Sequence, residues 1–397
     1  MGSNRILKPS LSIVCLALLC ACSSTTEATT ALELADATST PTNVPLTATE
    51  TPVVASTPQQ TATPESEEAE DELGPGGCTH NPDPVFTAMF TDLDMIDFIT
   101  PIGRVTDSVV PHSYIWISQD GVGQAPEVPV YMPVDAVFSS YAYYAEPMRD
   151  ARGGWIDVLQ YMLVFQVSCE VNFKFDHLDR LVAELALLLP DEPSESTRTQ
   201  ELDPKPFLEA GTLIGYTTGT RSAHNWDFGV YNSARPNPFG NQERYQQMWN
   251  LRTILHADCP YAYYRGELRE AVYALLPDGD CGSGSQDVPG TISGSWFEAQ
   301  DYSPHDPIRP AVVVGIGVIP GSQYIQFWTE DIFFRVYPGA PTYLPPASVT
   351  TEHCYQSSDS PRMYAFMKLL SDMELTLVTG RGSCPAQIPT THQVYFR

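Results

Sequence analysis

The stretch Leu208-Glu-Ala-Gly-Thr-Leu-Ile-Gly215-Tyr-Thr-Thr-Gly219, continuing through Ala223-His224-Asn-Trp-Asp227-Phe-Gly-Val230, decides how the chain is read. Two short runs, Leu213-Ile-Gly-Tyr216 and Trp226-Asp-Phe-Gly-Val-Tyr231, are rich in β-forming residues and separated by a Gly/Thr segment. That pattern predicts two strands and a tight turn in an antiparallel sheet. Alternation in the second run puts Trp226 and Phe228 on one face and Asn225, Asp227 and Gly229 on the other. If the aromatics are core, Asp227 faces a groove or solvent. If that face is covered, Asp227 needs a partner, because an unpaired buried carboxylate is costly.

Working outward, Val128-Pro-Val-Tyr-Met-Pro-Val134, Ala136-Val-Phe138, Asp157 to Val167 and Phe173 to Phe175 read as further strands. Leu178 to Leu189 has apolar residues at helical spacing and stops at Pro190, which predicts a helix of about three turns. Asp191 to Lys205 is polar and reads as a loop. Glu243 to Leu255 and Arg265 to Leu276 read as short helices. From Val288 to Arg397 short strands follow one another between turns, the pattern of a small all-β barrel or sandwich. The expected fold class is mainly β: an antiparallel β domain with a few short helices over 78–287, then an all-β domain over 288–397.

The chain has 397 residues, 21 Lys plus Arg against 48 Asp plus Glu, and a formal net charge of −27. That excess argues against nucleic acid and anionic lipid headgroups as bulk electrostatic partners. Thirty-five prolines disfavour a helical bundle. Residues 1–22 carry Arg5 and Lys8, then an apolar run from Leu11 to Ala21 that is short for a bilayer span. They read as a secretory signal peptide. Leu19-Cys20-Ala21-Cys22 resembles a bacterial lipobox, which implies lipidation of Cys22 and anchoring on the outer face of a membrane. Residues 23–77 hold ten acidic residues, no Lys or Arg and no aromatics, and read as a disordered acidic linker. From Cys78 onward 38 acidic residues still face 19 basic ones.

Six cysteines remain after the leader and the lipid site: Cys78, Cys169, Cys259, Cys281, Cys354 and Cys384. In an oxidising compartment an even number suggests three disulfides, with fifteen pairings open. Cys78–Cys169, Cys259–Cys281 and Cys354–Cys384 are taken as the expectation. No CxxC pair occurs, so a thiolate zinc site is not expected.

Four segments belong together: Pro111-His112-Ser-Tyr-Ile-Trp116, the Val128 run, Phe175-Asp-His177-Leu178, and the Leu208–Val230 stretch. In this order they resemble the lysostaphin-type (LytM-like) zinc endopeptidases that cut peptidoglycan cross-bridges. The resemblance spans about a third of the chain, roughly residues 98 to 232. It implies zinc held by a first His, an Asp soon after it, and the last His of a His-x-His pair before a Phe. His112 matches the first ligand and His177 the Tyr-x-His position. The Asp is missing; Asp120 is the nearest downstream acid. Anchored on Phe228, the His-x-His pair reads Asn225-Trp226-Asp227, with His224 displaced by one residue. One reading is loss of the metal site on a retained scaffold. The other is a rebuilt site of His112, Asp227 and one of His177 or His224, with His177 and His224 then catalytic.

Gly294-Ser-Trp296, with terminal Phe396-Arg397, is loosely similar to the Gly-x-Trp opening of lipocalin- and avidin-like barrels. The expectation is a surface-anchored envelope lipoprotein whose peptidase-like domain is inactive, needs no cofactor, and binds or scaffolds peptidoglycan, another glycan or a peptide. The alternatives are an active zinc-dependent peptidoglycan endopeptidase, and small-ligand binding by the C-terminal β domain.

Overall fold

A computed structural model of the chain describes residues 77–119, 125–149, 154–221, 223–303, 307–317, 323–359 and 362–397. The signal peptide with Cys22, the linker up to residue 76, and Asp120 lie outside the described residues. The first part carries strands β1 Ile96–Thr100, β2 Ser113–Ile117, β3 Val128–Tyr131, β4 Ala136–Arg149, β5 Trp155–Gln166, β6 Val171–Leu178 and β7 Arg180–Leu181. It continues with β8 Gln200–Glu201, β9 Phe207–Leu208, β10 Leu213–Thr217, β11 Asn225–Asn232 and β12 Ala257–Asp258. Four helices, α1 Ala183–Ala186, α2 Gln242–Gln247, α3 Arg252–Leu255 and α4 Gly266–Tyr273, are interspersed.

A large antiparallel sheet runs β1-β2-β11-β6-β5-β4-β8, with β12 on β11 and β9 on β4. A small sheet, β3-β10-β7, lies beside it. The alternation of β6 and β11 explains the layer. Phe173, Phe175, Trp226 and Phe228 all point inward and are fully buried. They meet Phe86, Phe90 and Tyr261 from the preceding and following segments; the Phe175 and Phe228 rings are 4.8 Å apart. Each such ring contributes about 1.5–3 kcal/mol by leaving water. The opposite phase of the same strands is polar and builds the site described below.

The three-turn helix expected over Leu178–Leu189 is corrected to the single turn α1. Leu178 and Leu181 are instead claimed by strands, with Leu181 paired to Gly215. The apolar spacing was real, but sheet pairing overrode the local preference, and Leu187 is left 86% exposed. Glu243–Leu255 is broken into α2, a 3₁₀ turn at Trp249–Leu251, and α3.

The second part is all β: β13 Gly294–Trp296, β14 Val312–Ile316, β15 Ile325–Thr329, β16 Phe333–Val336, β17 Glu352–Gln356, β18 Met363–Ser371, β19 Glu374–Arg381 and β20 Gln393–Phe396. These form two four-stranded meanders, β13-β14-β15-β16 and β17-β18-β19-β20. Their inner faces share one core that includes Trp296, Phe327, Tyr355 and Met367. The strands do not close into a barrel; two packed sheets satisfy the apolar phase without closure. The two parts are stitched together. Val105 N donates to Ile316 O (2.9 Å), Gln326 Nε2 to Thr106 O (3.0 Å), and Asn241 Nδ2 to Arg397 O (2.9 Å).

The six cysteines pair as Cys78–Cys169, Cys259–Cys281 and Cys354–Cys384, with Cα separations of 5.2, 5.8 and 6.0 Å. The first ties the start of the folded chain to the turn before β6.

Candidate functional site

On the outer face of the large sheet the register places Asp227 of β11 directly opposite Asp176 of β6. Like charges in facing positions destabilise a sheet. Both carboxylates are buried, so the pair requires a cation. Lys174, two residues before Asp176 and in the same phase, supplies it. Its Nζ lies 3.3 Å from Asp176 Oδ2 and 3.9 Å from Asp227 Oδ2. His112, immediately before β2, brings Nε2 to 3.0 Å from Asp227 Oδ2. His177 Nε2 stands 3.8 Å from the same oxygen.

A second layer of hydrogen bonds fixes these groups. His177 Nδ1 bonds Gln160 Oε1 at 2.7 Å, and Tyr144 Oη donates to Asp176 Oδ1 at 2.9 Å. Asp176 Oδ1 also accepts from the His177 backbone N–H at 2.9 Å. Adjacent residues of a strand normally face opposite ways, yet Asp176 and His177 face the same cluster. The register explains it: Leu178 pairs with Tyr161 and Phe175 with Leu163, so two residues of β6 oppose one of β5. This is a β-bulge, which re-aims a side chain. His177 takes φ +66°, a conformation uncommon for a non-glycine residue. Gly229 gives the room: a Cβ there would sit 3.2 Å from His112 Cβ and 2.7 Å from Tyr231 Oη.

Burial sets the protonation pattern. Desolvation, then the nearby Lys174 ammonium and the His177 ring, keep His112 well below 6.5. His112 is therefore neutral at pH 7 and donates Nε2–H to Asp227, which leaves its buried Nδ1 without a partner. Desolvation pushes Asp227 up from 3.8 to about 6, against the pull of His177 and Lys174. For Lys174, burial lowers the ammonium, but Tyr231, Asp176 and Asp227 together outweigh it and hold its pKa above the usual value.

The signs give a test. As pH falls, the native state takes up the Asp227 proton near 6 and the unfolded chain only near 3.8. The stability of the wild type relative to Asp227→Asn should therefore rise, by up to about 3 kcal/mol, between about pH 6.5 and pH 4. His112 acts oppositely. The unfolded chain binds its proton first, so stability relative to His112→Gln should fall as pH drops below about 6.5. Urea unfolding of the three proteins across this range measures both slopes; parallel curves would contradict the assignment.

Of the residues singled out from the sequence, His112, His177 and Asp227 come together. His224 does not join them. It occupies the turn before β11 with φ +53°, its backbone N–H donating to Thr220 O and its carbonyl accepting from Ile117 N. Its ring takes no part in the hydrogen bonds and ion pairs above. Lys174, Asp176, Gln160 and Tyr144 were missed. The signal for the first two was present: if Phe173 and Phe175 are core, Lys174 and Asp176 share the opposite phase with Asp227.

Donor atoms of Asp176, His177 and Asp227 all lie within 4.8 Å of one another, close enough to be tested as a metal site. The fit fails on the donor set. Oδ2 of Asp176 and of Asp227 already face a charged ammonium, and Asp227 Oδ2 also accepts from His112 Nε2–H; Asp227 Oδ1 is buried without a partner. A divalent ion at that point would meet the Lys174 charge at short range in a low-dielectric setting. No family model matches the chain, and no curated protein matches it.

Proposed function

We propose that this chain is an exported, lipid-anchored envelope protein in which a peptidase-like β domain binds or scaffolds a wall polymer and does not hydrolyse it. One observation carries the reading: Lys174 places an ammonium 3.3 Å from Asp176 Oδ2 and 3.9 Å from Asp227 Oδ2, two of the three residues in the only cluster of metal-type donors among the described residues. Fixed positive charge there offsets the charge of the two carboxylates without an ion, while Asp227 Oδ1 stays buried without a hydrogen-bond partner. An ammonium cannot supply the activated water on which zinc hydrolysis depends. Three closed disulfides accord with an oxidising compartment. The peptidase alternative is favoured by the convergence of Asp176, His177 and Asp227, but it requires Lys174 to vacate the centre.

The test is incubation of the full chain with purified peptidoglycan sacculi. Sedimentation with the sacculi and no soluble muropeptides is expected. Muropeptide release that a chelator blocks would overturn the reading.

A further inference from the structure

Beside the charge cluster, on the same face of the sheet, lies a groove of about 420 Å³. Met162 and Val164 of β5 form an apolar wall, Lys174 and Tyr231 the floor, and Arg252 and His256 the side contributed by α3 and the residue after it. Its volume lies within the range of small-molecule pockets. In a chain with more than twice as many acidic as basic residues, no carboxylate lines this groove among the described residues; the nearest, Asp176 and Asp227, stand behind its floor against Lys174.

Its polar groups lean towards donation. The Tyr231 hydroxyl is buried without a hydrogen-bond partner, and so is His256 Nδ1. Burial pushes the Tyr231 hydroxyl up to about 12, so it stays an O–H donor at neutral pH. Lys174 has its charge committed to Asp176 and Asp227. Arg252 makes no ion pair among the described residues, and its guanidinium remains free to take a carboxylate in two parallel hydrogen bonds. A buried donor with no acceptor is costly in the free protein, and a ligand oxygen placed beside Tyr231 would relieve that cost.

We infer that this groove binds a small carboxylate with a short aliphatic group. The carboxylate is held by Arg252 and the Tyr231 hydroxyl, and the aliphatic group packs against Met162 and Val164. The inference stands on the groove's own lining and does not depend on how the neighbouring cluster arose. The same chemistry is presented by a free small acid and by the end of a peptide.

Isothermal titration of the full chain with N-acetyl-leucine and with N-acetyl-leucinamide tests it. Saturable millimolar binding of the acid, at least about tenfold weaker for the amide, is expected. Arg252→Gln, at an exposed position, should weaken the acid about tenfold without changing the melting temperature. Tyr231→Phe should weaken it several-fold while leaving the unliganded protein as stable or more so, because the hydroxyl it removes had no partner. N-acetyl-triglycyl-leucine separates the sources. Binding as tight as the free acid assigns a peptide end, and much weaker binding assigns a small acid. Equal binding of acid and amide, unchanged binding in both variants, or no saturable binding of any carboxylate would overturn the inference.

Discussion

Replacing Lys174 by methionine is expected to destabilise the folded chain by about 3–5 kcal/mol at pH 7. Methionine keeps most of the side-chain volume and removes the charge, so packing loss is a minor part of the effect. What remains is a facing pair of buried carboxylates, Asp176 and Asp227, with no cation between them. Removing one partner of a buried ion network leaves the others uncompensated, which costs far more than an exposed pair is worth. Lys174 is 16% exposed and the Asp227 side chain 5%, so solvent screening is weak.

The loss has a pH signature. Below about pH 6 the native Asp227 takes up a proton, and the repulsion it shares with Asp176 disappears. The penalty of Lys174→Met should therefore shrink as the pH falls towards 5. Adding Asp227→Asn should restore part of the stability at pH 7, because the second substitution removes the uncompensated charge. Urea unfolding followed by tryptophan fluorescence, with Trp226 in the adjacent core, reads each protein. A change of less than about 0.5 kcal/mol in Lys174→Met, the range of an ordinary surface substitution, would mean that the ammonium is not what holds the two carboxylates together.

The fold was legible where period two survives in the sequence. Trp226-Asp-Phe-Gly-Val carried both the strand and the side on which Asp227 falls, and β11 places it there. The strands β17 and β18 were not foreseen, because β18 buries Ala365, Phe366 and Met367 in succession and shows no alternation. The helix expected at Leu178–Leu189 failed for the opposite reason: a good helical period yielded to strand pairing that only the tertiary fold supplies.

The site was half legible. His112, His177 and Asp227 stood out as residue types with ligand chemistry. Lys174 did not, because a lysine in a strand usually marks a solvated face, and its role depends on the cross-strand register that sets Gly229 opposite it and Asp227 opposite Asp176. The bulge that turns His177 towards Asp227 leaves no mark in the sequence; Asp176 and His177 read there as the start of a helix. The register arises from pairing of β6 with β11, about 50 residues apart, and the bulge from pairing of β6 with β5; a local reading supplies neither.

The second large effect concerns the ion itself. In a site that holds zinc, each ligand oxygen faces the metal, and nearby ammonium groups lose their protons or move away. Here the Lys174 ammonium stands 3.3 Å from Asp176 Oδ2 and 3.9 Å from Asp227 Oδ2, so an ion bound by those oxygens would have to displace it. Zinc should gain purchase only when the ammonium is removed. Lys174→Met should therefore bind zinc more tightly than the wild type does at pH 7 or above, where Asp227 is ionised and can act as a ligand.

Elemental analysis of the purified full chain, after dialysis against zinc at a concentration near that of the protein, puts the internal cation to the most direct test. Less than a tenth of an equivalent of zinc per chain is the expected result, because a site already neutralised should have a dissociation constant more than about tenfold above that zinc concentration. One equivalent per chain, lost in both His112→Ala and Asp227→Ala, would contradict it and restore the metallopeptidase.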